Sequence, residues 1–233
     1  MLRVENLSKR YGDVRALEHV SFEIPPNSIA GVIGPNGAGK TTLLLSLAGL
    51  LPTDGGIVSW EDRAIPGHSR SHTVFYVEDT IRPHALLSLA SALRFYGSVF
   101  QKTETHCDYV IDRLRLREFL RSRVCDLSKG TAKRFLIAIG VLSTQPVLML
   151  DEPFDGLDLK QTLELVPTLR GISAEGRTLV LSIHQLRDAE RVCDRFILLN
   201  NGRIAGYGTL DGLATHAGRP QAAGLEEIFL ALT

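Results

Sequence analysis

The sequence predicts an α/β fold: a mainly parallel sheet with an N-terminal antiparallel β subdomain and an inserted α-helical lobe. Three observations carry this. Continuous apolar runs at Ile29–Ile33, Val147–Leu150 and Thr178–Ile183 have the character of strands buried on both faces, as in a parallel sheet. Residues 2–7 and 20–24 instead alternate apolar and polar side chains, the pattern of half-buried antiparallel strands. Between residues 81 and 124 no strand-like run occurs, and apolar residues recur there at helical spacing.

The run at Ile29–Ile33 leads into Gly34-Pro35-Asn36-Gly37-Ala38-Gly39-Lys40-Thr41-Thr42, and a helix-like Leu43-Leu44-Leu45-Ser46-Leu47-Ala48 follows. Strand, glycine-rich loop and helix in that order match G-x-x-x-x-G-K-[ST], the phosphate-binding P-loop. Glycines let the main chain curl with its N–H groups inward, and the helix N-terminus adds partial positive charge. Lys40 brings a full charge to the outer phosphates, and the Thr41 hydroxyl is placed to bind Mg²⁺. Gly34, Asn36, Gly37, Gly39, Lys40, Thr41 and Thr42 are the candidate nucleotide-binding residues of a P-loop NTPase core.

A chain of 233 residues can bury the core of one α/β domain carrying such a lobe. Lys plus Arg balance Asp plus Glu at 26 each, so nothing global points to nucleic acid or an anionic membrane surface as partner. Cys107, Cys125 and Cys193 are scattered without metal spacing or a disulfide framework, which fits a reducing cytosol. The N-terminus lacks the apolar core of a signal peptide, and no apolar run approaches the ~20 residues needed to span a bilayer. A role at a membrane therefore calls for a second chain to supply the spanning part.

Taken in order, residues 8–13 read as a polar turn carrying one aromatic, Tyr11, which is either a surface side chain or a lid on a purine ring. Pro25-Pro26-Asn27 ends the second strand. Gly49 to Gly56 forms a helix stop and turn, and residues 57–60 and 73–77 are short strands, the latter ending at Glu78-Asp79. Residues 86–100 and 107–119 are expected helices, with Val110, Ile111 and Leu114 on one face. The core then comprises 1–80 and 127–233, and the lobe 81–126. Arg113, Arg115, Arg117, Arg121 and Arg123 read as a solvated helix face, because leucines and acids interleave them. Ser128 is a good N-cap for a helix running to about Leu142.

Val147–Leu150 ends in Asp151-Glu152-Pro153, two acids at the carboxyl end of a parallel strand, where α/β sheets bind ligands. Asp151 suits Mg²⁺ and Glu152 suits an attacking water. His184 stands at the tip of Thr178–Ile183, either a structural histidine or a contact to the γ-phosphate or water. Arg195 to Ile204 is a hairpin turning at Asn201-Gly202, and the tail from Leu225 is a short amphipathic helix.

In this order the motifs resemble the ATP-binding subunit of an ABC transporter, exporter-type, over nearly the whole chain. By that resemblance Gly34 to Thr42 is Walker A, Tyr11 the adenine-stacking aromatic, Asp151 and Glu152 the Walker B pair, Phe154 to Asp158 the D-loop and His184 the switch histidine. Leu127-Ser128-Lys129-Gly130-Thr131 occupies the place of the Leu-Ser-Gly-Gly-Gln signature, at the end of the lobe. Ser128 and Gly130 are kept, whereas Lys129 adds charge and Thr131 shortens the reach. Glu78 stands where the family has a glutamine, and as a hard oxygen ligand it joins Thr41 and Asp151 as a candidate Mg²⁺ contact.

The resemblance implies catalysis by Glu152 and His184, and ATP with Mg²⁺ as cofactors. It implies a second ATP-binding subunit, identical or paralogous, and a separate transmembrane permease. The location implied is cytoplasmic, on the inner face of the membrane, with no nucleic acid partner. A soluble ABC-type ATPase without a permease, such as the iron–sulfur assembly type, is the alternative. A guanine-reading Asn-Lys-x-Asp is absent, which argues against a GTPase.

Overall fold

The computed structural model describes all residues from Met1 to Thr233. The strands are β1 (Leu2–Tyr11), β2 (Val14–Ile24), β3 (Ile29–Ile33), β4 (Gly55–Trp60), β5 (Arg63–Ala64), β6 (Val74–Val77), β7 (Val147–Leu150), β8 (Thr178–Ile183), β9 (Arg195–Asn200) and β10 (Arg203–Gly208). The helices are α1 (Lys40–Ala48), α2 (Leu89–Val99), α3 (Glu104–Arg113), α4 (Lys129–Leu142), α5 (Leu159–Ala174), α6 (Leu186–Val192), α7 (Leu210–His216) and α8 (Leu225–Leu232).

They form two sheets. One is antiparallel, in the order β2-β1-β4-β5. The other runs β10-β9-β3-β8-β7-β6, parallel throughout except for the β9–β10 hairpin at its edge. The strands β3, β7 and β8 are buried at every position, which is why their sequences run apolar without alternation. Two apolar cores result. One joins α1 to both sheets through Leu43, Leu44, Leu47, Val32 and Val20. The other lies on the opposite face, around Phe135, Leu136 and Ile139 of α4, Leu165 and Leu169 of α5, and Leu89 and Leu93 of α2.

Between β6 and β7 no strand forms: helices alternate with turns, and the one β pairing is an isolated bridge of Ser88 with Arg123. Helix α2 starts at Leu89, later than residue 86, because the Ser88 hydroxyl caps it by accepting from the Ser91 N–H at 3.2 Å. Helix α3 stops at Arg113, short of Phe119. Arg115 takes a left-handed φ of 54°, and a 3₁₀ turn at Arg117–Phe119 follows. That reversal lets Leu114 and Leu116 both bury.

The arginines there are not a uniform solvated face. Arg113 pairs with Glu175, Arg115 with Glu164, Arg117 with Asp108 and Asp112, and Arg123 with Asp126. Near the N-terminus, residues 8–11 are strand and not turn. Irregular register in the β1–β2 ladder, with Asn6 and His19 at positive φ, breaks the alternation while the pairing continues to Tyr11–Val14. Helices α6 and α7 and the two-residue β5 fall in stretches whose sequence pattern is too short to announce them.

The carboxyl end of α4 is held by a side chain from another element. Arg177, just before β8, donates to the carbonyl oxygens of Gly140 at 2.7 Å and Ser143 at 3.3 Å, and to the Ser143 hydroxyl at 3.0 Å. Burial pushes this guanidinium down to about 10, and the negative end of the helix dipole accommodates its charge. Arg177→Ala removes the donors from these carbonyls at a cost of about 2 kcal/mol. Thermal unfolding should drop by roughly 4–8 °C, and an unchanged midpoint would show that water replaces the guanidinium without loss.

Candidate nucleotide site

The P-loop folds as its residues dictate. Gly37 and Gly39 have φ of 80° and 103°, which side chains disfavour. At Gly34 any Cβ would run into the Leu199 carbonyl, so the loop lies directly on β9. The backbone N–H groups of Gly39, Lys40, Thr41 and Thr42 have no acceptor within the chain and open α1 toward an anion. Lys40 is 7% exposed, and its ammonium donates to the carbonyls of Gly34 at 2.7 Å and Pro35 at 3.0 Å. Burial pulls its pKa down, while the Glu152 and Asp151 carboxylates act in the other direction.

An open cleft of about 380 Å³ surrounds this loop. Asn36, Gly37, Gly39, Lys40, Thr41 and Thr42 line one side, Glu152 and His184 another, and Val14, Arg15, Ala16 and Asn201 the rest. The P-loop and both expected catalytic residues thus share one space. The inward N–H groups, a buried lysine and an exposed Thr41 hydroxyl fit a nucleotide's phosphates with their divalent cation. The other expected residues lie elsewhere. Tyr11 is 48% exposed at the tip of the β1–β2 hairpin, with the Lys9 ammonium 5.5 Å from its ring. Glu78, exposed just past β6, accepts from the Thr80 hydroxyl at 3.2 Å. Ser128 caps α4 by accepting from the Thr131 N–H at 3.2 Å, and Gly130 packs beneath the Gln161 side chain, so both sit away from this cleft.

Behind the cleft the acid pair is fixed by groups that no motif marks. The Asp151 carboxylate accepts from the Tyr76 hydroxyl at 3.0 Å and from the Ser182 hydroxyl. Ser182 in turn accepts from the Glu152 N–H at 2.8 Å. Burial raises the Tyr76 phenol, and Asp151 raises it further, so it remains a donor. The Glu152 carboxylate meets Nε2 of His184. Glu152 itself has φ 49°, a conformation costing roughly 1–3 kcal/mol in a residue with a Cβ.

Around this turn Lys133 donates to the Glu152 carbonyl and pairs with Asp79, and Lys129 donates to Asp155 at 2.7 Å. The Lys129 ammonium holds the Asp155 carboxyl below the usual carboxylate range. The faint sequence signal for Ser182 was its place two residues before His184, on the same side of the strand. Tyr76, Asp79 and Lys133 gave none.

Ser182→Ala strands the Glu152 N–H and releases one oxygen of Asp151. Turnover of ATP should fall about tenfold, equivalent to about 1.4 kcal/mol in the barrier. Nucleotide affinity, set by the P-loop, should change by less than about threefold. Steady-state kinetics with a fluorescent-nucleotide titration would check both, and unaltered turnover would remove Ser182 from the site.

A model of the ABC transporter family matches residues 17–155. An uncharacterized ABC transporter ATP-binding protein of Methanocaldococcus jannaschii is 32% identical over 216 residues, covering 91% of this chain and 79% of that protein. Nod factor export ATP-binding protein I of Ralstonia nicotianae is 32% identical over 222 residues, 93% of this chain and 69% of the relative. The solved structure of an ATP binding subunit of an ABC transporter superposes with a TM-score of 0.88 at 30% identity, covering 100% of this chain and 99% of the other. No helix here is long and apolar enough to cross a membrane. With a P-loop, Glu152 and His184 at one cleft, Asp151 fixed behind it, and this likeness over its length, the chain belongs to the ABC transporter family, as an ATP-binding and ATP-hydrolysing subunit.

Proposed function

We propose that this chain is the motor of an export system: two ATP-binding subunits close around ATP, and their opening after hydrolysis drives a separate transmembrane permease. The observation that supports it most is the shared cleft of Lys40, Thr41, Glu152 and His184. The export relative matched at 32% identity favours the direction. The P-loop wraps the phosphates from one side only. The α4 N-terminus at Ser128 and Gly130 lies outside the cleft of its own chain, and in this reading it completes the phosphate shell of a second copy or a paralogue. A two-fold arrangement satisfies both sites at once.

Within the site, Gly34, Asn36, Gly37, Gly39, Lys40 and Thr42 hold the phosphates, and Tyr11 lies against the adenine. Thr41 and Asp151 would hold Mg²⁺, with Glu78 as a further candidate contact, and the ion when bound would supply positive charge to the phosphate oxygens. Glu152 accepts the proton of the water that attacks the γ-phosphorus, and the bond to ADP breaks as the new P–O bond forms. His184 orients Glu152 and the departing phosphate. Catalysis here is mainly positioning and charge stabilisation.

Glu152→Gln should retain ATP and accumulate a nucleotide-bound dimer, seen as a doubled mass on size exclusion with ATP and Mg²⁺. Wild-type turnover in that variant would take Glu152 out of its role. Tagged Glu152→Gln chain with ATP should also retrieve a multi-span protein from detergent-solubilised membranes. A clean soluble dimer would favour a permease-free ATPase instead. Glu78→Gln removes a negative charge from the candidate Mg²⁺ contacts and should raise turnover or lower its Mg²⁺ requirement. If rate and Mg²⁺ profile both stay put, Glu78 has no part in the metal site.

A further inference from the structure

Lys129 and Lys133 lie one turn apart on one face of α4, and both reach the turn that follows β7. The Lys129 ammonium donates to Asp155 at 2.7 Å, and its stem lies so close over Gly156 that a Cβ there would strike it. Lys133 is 4% exposed, and its ammonium spans the Asp79 carboxylate and the Glu152 carbonyl. Carboxylate oxygens of Asp79, Glu152 and Asp155 lie within 4.8 Å of one another. Three acids at that spacing repel, and their arrangement depends on the groups that meet them: Lys129 at Asp155, Lys133 at Asp79 and His184 at Glu152.

The contacts converge on one strained residue. Glu152 has a left-handed backbone. Ser182 takes its N–H, and Lys133 holds its carbonyl in company with the Asp155 N–H at 3.1 Å. The backbone that carries the Glu152 side chain is therefore held by α4 as well as by β8, while the carboxylate itself meets Nε2 of His184. Lys129 sits at the first position of that helix, where the dipole disfavours a cation, and an exposed ion pair of this kind adds little to stability. Its contact is better explained by where it holds the turn than by the energy it contributes.

We propose that Lys133, assisted by Lys129, is a positioning residue for ATP hydrolysis. The two lysines clamp the Glu152–Asp155 turn so that the Glu152 carboxylate faces the attacking water. They also tie that pose to the helix whose N-terminus meets the second copy's nucleotide. The inference rests on Glu152 as the general base and on Ser128–Gly130 as the contact to a partner's ATP. One helix then carries news of the partner's nucleotide to the base of its own chain. Asp79 extends the junction to the corner at Glu78, where the chain leaves β6.

Lys133→Met removes the ammonium and keeps most of the stem. The expected result is a fall in kcat of at least about tenfold with KM for ATP within about twofold. In the Glu152→Gln background the same change should slow the residual rate by less than about twofold, because the group it positions is gone. A general loosening would lower the rate by the same factor in both backgrounds and would overturn the proposal, as would a wild-type kcat for Lys133→Met. Glu152→Gln is measured first: wild-type turnover there removes the general base, and the clamp with it, before Lys133 is altered. Should Lys133→Met lose its cooperative melt, Lys129→Ala carries the test, since its half-exposed side chain leaves the core intact. About threefold lower kcat at an unchanged melting temperature is expected, and a wild-type kcat overturns the clamp.

Discussion

In the parallel pairing of β7, β8 and β3, Leu150 lies opposite Leu181 and Ile33 lies opposite Ile183. The three strands therefore release their chains at the carboxyl end of the sheet, side by side. Gly34 leaves β3 next to His184 leaving β8, and Asp151 leaves β7 next to Ser182. A slip of one residue in either pairing would turn every side chain to the opposite face. Full burial of these strands on both faces does not by itself forbid such a slip. Asymmetry between the two cores helps to forbid it, since α1 packs on one side and α4 and α5 on the other.

At that end the structure concentrates charge that water would otherwise screen. Lys40 is buried beside two acids, Tyr76 and Ser182 hold Asp151, and Glu152 keeps an unfavourable backbone. Lys40, Asp151 and Glu152 are each retained by at least two other groups. A residue held in a sparsely populated conformation persists only where its surroundings over-determine it. Here the hydroxyl of one neighbouring strand and the lysine of a packed helix do so from the amide and the carbonyl side of the residue.

Much of the fold was readable because its parts obey local rules. Apolar runs without alternation marked the parallel strands, the glycine and lysine spacing marked the phosphate loop, and Ser128 marked the start of α4 with its own hydroxyl. Reading failed where tertiary contacts overrule local pattern. The β1–β2 ladder continues through polar residues because bulges absorb the lost alternation. Helix α3 ends early because Leu114 and Leu116 both seek the core. At the site, Walker-type residues announce themselves by spacing, and Ser182 only faintly by its place before His184, whereas Tyr76 and Lys133 act only through partners distant in sequence. A tyrosine and a lysine on ordinary elements carry no such mark.

The hairpin between β9 and β10 looks permissive to an engineer. It turns on Asn201 and Gly202, and tips of this kind usually accept inserted residues or new chain ends. This one is a rivet. The Gly202 N–H donates to the Ala38 carbonyl of the phosphate loop at 3.0 Å, and its own carbonyl accepts from the Glu18 N–H of β2 at 2.8 Å. A tag, a grafted loop or a circular-permutation cut placed there would carry its disturbance into the nucleotide cleft and across both sheets. The exposed stretch 218–222 between α7 and α8 has neither attachment, and it is where the chain can be opened or extended without touching the site.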